Sequence, residues 1–150
     1  MDTQELLESA FVEVLEKFAF MFGEPVSPSD LTPPNDPFWQ ASIGFSGPQK
    51  GLLQVAAASS FCVQLAANVL GIDLKCMTPE AGADAFKELL NVVCGELLEK
   101  MAGTDVVFNL TIPQVETKPP EEWGPLTLDS QMRGLLVDEM PVLIKLEMTS

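Results

Sequence analysis

Residues 39–71, WQASIGFSGPQKGLLQVAAASSFCVQLAANVLG, hold two β-prone runs, a turn and a helix in immediate succession. Residues 39–46 and 51–58 flank Gly47-Pro48-Gln49-Lys50, so they read as an antiparallel hairpin. Ser59 or Ser60 is then expected to cap a short helix over about 61–70, and Gly71 to close it. A hairpin running straight into a helix implies strands and helices in separate layers.

On the N-terminal side, Asp2 and Glu5 read as a capping box. Leu7, Phe11, Val14, Leu15, Phe18 and Phe22 then recur at helical spacing, which predicts a first helix over about 3–22. The intervening EPVSPSDLTPPNDP carries five of the twelve prolines and reads as an ordered surface loop over 24–38. On the C-terminal side a long helix is expected from about Pro79 to Met101, with Gly103 as its stop. Three strands follow, over 105–117, 126–137 and 141–148, with KPPEEWGP as a loop in which Trp123 packs against the sheet. The order α-β-β-α-α-β-β-β predicts one α+β two-layer domain over 1–150, three helices on a mainly antiparallel sheet. Residues 141–148 read as a β-prone terminal strand whose unpaired edge invites a second copy.

Composition narrows the chemistry. Twenty-two acidic against eight basic residues give a net charge of −14, which repels nucleic-acid backbones and anionic lipid surfaces. No apolar run reaches the roughly 18 residues of a membrane span. The opening MDTQELLESAF lacks the pattern of a secretion signal, so a cytoplasmic location is expected. Cys62, Cys76 and Cys94 have no metal or redox spacing and read as reduced core thiols. The chain has no histidine and no tyrosine, which removes the serine–histidine–aspartate triad and the commonest metal ligand. No glycine-rich phosphate loop is present, and Asn109-Leu110-Thr111 is a chance glycosylation match. What chemistry remains belongs to carboxylates, amides, hydroxyls and a few cations.

The long helix offers such a set. At about 100° per residue from Asp84, Glu88 falls near 40°, Asn91 near 340° and Gly95 near 20°. Phe86, Leu89, Leu90, Val93 and Leu97 cluster between about 140° and 240° on the other side. Asp84, Glu88 and Asn91 therefore form one polar stripe, with Gly95 leaving room beside the asparagine. A carboxylate can pair with a partner's lysine or arginine, and a carboxamide both donates and accepts, so it can orient an attacking water. Asparagine is a poor proton acceptor, so the substrate must already be activated, as a phosphoryl group on a carboxylate is. Any solvated helix face carries Glu and Asn, so the stripe alone does not separate a site from a wetted surface.

Asp84-AFK-Glu88-LL-Asn91 resembles the helix motif of the chemotaxis phosphatases of the CheC and CheX type: Asp or Ser, three residues, Glu, two residues, Asn, and a proline further along. Pro113 stands one residue short of the family's spacing. The hairpin and short helix of residues 45–71 and the element order over nearly the whole chain are similar to the family too. The resemblance implies a domain that docks on a phosphorylated response-regulator receiver of the CheY type and speeds loss of its aspartyl phosphate. Glu88 would pair with the receiver's lysine, Asn91 would place the water, and Asp84 would support them. Magnesium would sit on the receiver, with no cofactor held by this chain, and the CheX likeness also implies a homodimer.

Ser9-AFV-Glu13-VL-Glu16 repeats the geometry on the first helix, but Glu16 stands where asparagine should be and Phe20 where Gly95 stands. An ionised glutamate only accepts hydrogen bonds and repels phosphate, so a single working site is expected, closest to the CheX-like branch. Two other readings stay open: a non-catalytic receiver-binding or adaptor module on the same fold, and a general acid–base hydrolase using Asp84 and Glu88. The latter is disfavoured because both lie on one exposed face.

Overall fold

Asp2 caps α1 (Thr3–Ala19) by accepting a hydrogen bond from the Glu5 N–H at 2.9 Å, as the sequence predicts. The helix ends three residues before the expected position. Phe20 turns left-handed at φ 54°, and the Phe20 and Met21 N–H groups bond back to Glu16 and Leu15. Met21 is thereby buried, while Phe22 is 63% exposed and not a core residue of the helix. The reason lies outside the helix: the Phe22 N–H reaches the Asp138 carboxylate, the Asp138 N–H reaches the Phe22 carbonyl, and the chain becomes a strand.

A computed structural model of the protein describes residues 2–149. The strands are β1 (Gly23–Val26), β2 (Phe38–Ser46), β3 (Lys50–Ala58), β4 (Asn109–Leu110), β5 (Gln114–Lys118), β6 (Arg133–Val137) and β7 (Met140–Thr149). They form one antiparallel sheet in the order β1-β6-β7-β3-β2-β4, with β5 also pairing β2. The helices α1, α2 (Ser59–Leu70) and α3 (Pro79–Ala102) cover one face. A short α4 (Trp123–Thr127) lies over the other, where Leu31, Phe38, Ala56, Trp123, Met132 and Leu143 make a small second core. The α+β architecture is as expected, with four α-helices among the described residues where the sequence predicts three.

Several local expectations change. The proline-rich stretch is not loop throughout as expected: β1 occupies its start. Pro25 is tolerated there because an edge strand has one row of N–H groups it need not use. Neither Ser59 nor Ser60 caps α2: Ala58 holds that position and no side chain caps it. The strand expected over 105–117 is divided into β4 and β5, with Pro113, which has no N–H to donate, between them. The strand expected from residue 126 begins only at Arg133. Trp123 is buried as predicted, edge-on to Phe38 at 5.1 Å, but inside a helical turn that leaves Leu128 84% exposed. Cys62 and Cys94 are core thiols, and burial pushes Cys94 up to about 11; Cys76 is exposed.

Residues 141–148 form no edge. β7 is flanked by β3 on one side and β6 on the other, because the β6–β7 hairpin folds back and adds β1 beyond it. The outer strands are β1, which contains Pro25, and the divided β4 and β5, so proline interrupts both borders of the sheet.

Beyond Ile144, β7 runs past the end of β6, and the Gln4 carboxamide takes over the vacated ladder. Its Nε2 donates to the Leu146 carbonyl at 2.8 Å, and its Oε1 accepts from the Leu146 N–H at 3.2 Å. Gln4 is the buried polar residue of this core. Gln4→Ala leaves both backbone groups without a partner and is expected to lower stability by about 1–3 kcal/mol in a denaturant titration. A loss under about 0.5 kcal/mol would show that water replaces the amide at no cost.

Candidate functional site

Thr78 caps α3 by accepting from the Ala81 N–H at 3.2 Å, Pro79 occupies the first turn, and the Gly103 N–H closes the far end on the Glu99 carbonyl. The helix packs on both α1 and α2. Phe86, Leu89, Leu90, Val93 and Leu97 are all fully buried. Gly82 brings α3 close to α2, where a Cβ would lie 3.3 Å from Cys62 and Val63 atoms. With the inner face so committed, the stripe read from the sequence points outward: Asp84 and Glu88 are exposed, Asn91 and Gly95 half-buried. At about 1.5 Å rise per residue the stripe from Asp84 to Asn91 is about 10 Å long, and Glu88 and Asn91 are neighbours one turn apart.

Among the described residues, no side-chain hydrogen bond or ion pair engages Asp84, Glu88 or Asn91. A carboxylate and a carboxamide thus stand side by side with their bonding capacity unspent. No group of three or more potential metal ligands occurs among the described residues.

Gly95 has nothing within 4 Å of where a Cβ would be, so the space beside Asn91 is open. Two depressions border the stripe. One, of about 270 Å³, lies between α1 and α3 and is lined by Val14, Phe18 and Val92 with Glu13, Lys17 and Glu96 at its rim. The other, of about 180 Å³, lies between Gly95 and Leu98 of α3 and the chain around Val106, Phe108 and Leu110. One regular strand over 105–117 would leave no such cleft; the signal against it in the sequence is Pro113, which interrupts the run.

The repeat on α1 is arranged differently. Ser9 and Glu16 are exposed, but the Glu13 carboxylate is held by Lys100 of α3 at 2.8 Å and by Lys17 at 3.6 Å. The Lys100 ammonium holds the Glu13 carboxyl below its usual range, and Glu13 in turn raises the Lys100 ammonium. Phe20 does not continue the stripe as Gly95 does on α3, because the helix has already ended. Glu13 is therefore structural, a cross-brace between two helices, and its partner is a lysine far away in the sequence.

Two outcomes test this geometry. Gly95→Ala meets no obstacle and replaces the poorest ordinary helix former with the best, so a gain of about 0.5–1 kcal/mol in thermal or urea unfolding is expected. The Glu13 brace has a depressed carboxyl, so its contribution is complete above the unfolded glutamate value of 4.5 and is lost as pH falls through the lower folded value. The stability difference between the parent and Lys100→Met should be constant near neutrality and shrink below that pH. A difference that grows on acidification would contradict the assignment.

The sequence profile of the family described as Chemotaxis phosphatase CheX matches residues 39–123. No curated protein matches the sequence. Among solved structures, chemotaxis protein CheX from Vibrio vulnificus superposes with a TM-score of 0.73 at 15% identity, covering 99% of this chain and 97% of that one. A CheC-like superfamily protein from Shewanella sp. PV-4 gives 0.68 at 18% identity, with 100% of both chains covered. The CheX–CheY–BeF3–Mg2+ complex from Borrelia burgdorferi gives 0.66 at 16% identity, with 99% of each chain covered. At these identities the likeness establishes the fold.

Proposed function

The chain belongs to the CheX family of chemotaxis phosphatases, and from that premise we propose that it hydrolyses the aspartyl phosphate of a CheY-type response-regulator receiver. The observation that carries the reading is the unspent pair on the outer face of α3, Glu88 and Asn91, one turn apart beside the open position at Gly95. The Borrelia complex, in which CheX is joined to CheY with beryllofluoride and magnesium, supports the choice of partner class.

In this reading Glu88 accepts from the receiver's lysine and so fixes the register of docking, as a charge-assisted hydrogen bond does. Asn91 then stands next to the phosphoryl group. Its carboxamide oxygen accepts from a water and its NH2 can donate, so the water is held in line with the bond to be broken. An acyl phosphate is already activated and needs little from a base, so positioning supplies most of the catalysis. Magnesium is held by the receiver. Asp84, one turn before Glu88, adds negative charge toward the receiver's lysine.

The other depression and the other helix suit this chemistry less. Glu13 is occupied by Lys100, and Glu16 would bring a carboxylate toward phosphate, so one working centre per chain follows. The absence of histidine accords with a mechanism that positions a water without deprotonating it.

The test is the decay of aspartyl phosphate on receivers from the same genome, with and without the protein. Glu88→Ala and Asn91→Ala are each expected to reduce the acceleration by about 100-fold or more, and Asn91→Ala to leave binding of the receiver largely intact. Acceleration retained in both variants would overturn the assignment of these residues. Binding of a receiver by the parent without any acceleration would favour an adaptor role.

A further inference from the structure

We infer that residues 106–112 form the rim against which the receiver docks, with Val107 and Ile112 as its anchoring side chains. This rests on the phosphatase reading of the α3 stripe and extends it to the specificity of the same site.

The segment is fastened to the sheet at successive points. Phe108 lies edge-on to Phe45 at 6.0 Å, and Asn109 and Leu110 pair with Ser46 and Phe45 of β2. Thr111 is bound twice to Gly44: its Oγ1 accepts from the Gly44 N–H at 2.8 Å, and its own N–H donates to the Gly44 carbonyl at 2.9 Å. Gly44 has no side chain to hold the threonine away; a Cβ there would lie 3.3 Å from the Thr111 methyl. Immediately before and after these fixings, Val107 is 81% and Ile112 80% exposed. A slack loop could fold such side chains under itself, whereas this one is tied down with two large apolar groups facing water. Exposing them forgoes burial that a β-branched side chain would otherwise gain, which marks the surface as one that something else covers.

The position says what covers it. Gly95 and Leu98 face Val106, Phe108 and Leu110 across the 180 Å³ cleft, and Gly95 is one turn, about 6 Å, from Asn91. A stable protein interface takes about 800 Å² from each partner, a patch about 16 Å in radius. A folded receiver that presents its phosphoryl group at Asn91 must therefore extend over the neighbouring cleft and its rim. Charge divides the labour: residues 106–112, VVFNLTI, carry none, whereas Glu80, Asp84, Glu88 and Glu99 line the exposed side of α3. The acidic stripe orients the partner through its cation, and the apolar rim supplies the desolvated area from which affinity comes.

Val107→Asp and Ile112→Asp, singly and together, test the rim in the full chain, with Leu128→Asp as the control. Leu128 is as exposed but ends α4, which packs through Trp123 on the opposite face of the sheet. Two quantities are read on receivers from the same genome: steady-state kcat and KM for dephosphorylation, and Kd for the receiver charged with beryllofluoride and magnesium. The double variant is expected to melt with the parent, to raise KM and Kd about tenfold or more, and to keep kcat within about twofold. Leu128→Asp should move none of these. Unchanged KM and Kd in the double variant, while Glu88→Ala and Asn91→Ala still abolish turnover, would overturn the rim and leave the phosphatase reading standing. If the parent binds a receiver without turnover, Kd alone decides the rim; if it binds none, both readings fall.

Discussion

Burial of one face of α3 is the constraint on which everything else depends. Phe86, Leu89, Leu90, Val93 and Leu97 are removed from water entirely, each contributing about 1.5–3 kcal/mol. Rotating the helix by one residue would return several of them to solvent and drive a charged group inward, a cost far beyond any gain on the outer face. The direction of Glu88 and Asn91 is therefore enforced from behind. Their own bonds contribute nothing to it, which is why they can remain uncommitted in the folded chain.

The contrast with α1 shows how little separates a poised stripe from a brace. Both helices carry the same spacing of polar groups and the same opposed apolar side. On α1, Lys100 from the adjoining helix reaches Glu13 and holds it at 2.8 Å, so that carboxylate serves the packing of α1 against α3. No cation reaches Glu88 in the same way among the described residues. The end of the helix differs too: at Phe20 the chain turns left-handed and leaves, whereas α3 continues for seven residues past Gly95 to Ala102.

The sheet settles how the surface around the stripe is built. Proline in β1 and between β4 and β5 blunts both borders. At the second border the division also limits regular pairing to Asn109 and Leu110, and Thr111 fastens the segment to Gly44 of β2. A continuous strand there would have alternated its side chains between core and solvent. The interrupted one turns Val106, Phe108 and Leu110 to the cleft at Gly95 and leaves Val107 and Ile112 exposed on either side of residues 108–111.

By itself the sequence determined the three long helices and the face each turns to the core, because a 3.6-residue apolar period is a local property of the chain; α4, a single turn, has too few residues to show one. That made Asp84, Glu88, Asn91 and Gly95 legible as one outward stripe, and the hairpin of β2 and β3 was legible from its turn residues. Tertiary structure decided what depends on partners distant in the chain. The alternation in 141–148 revealed a strand but not that β3 and β6 would flank it, so an interior strand was read as an edge. The alternation from 126 is the same local signal, overridden where Trp123 packs edge-on to Phe38 in the second core. The Gln4 amide completing a ladder at Leu146 spans 142 positions, and Lys100 neutralising Glu13 joins two separate helices. Periodicity states which groups seek burial or a counter-charge; only the assembled fold states which neighbour satisfies them.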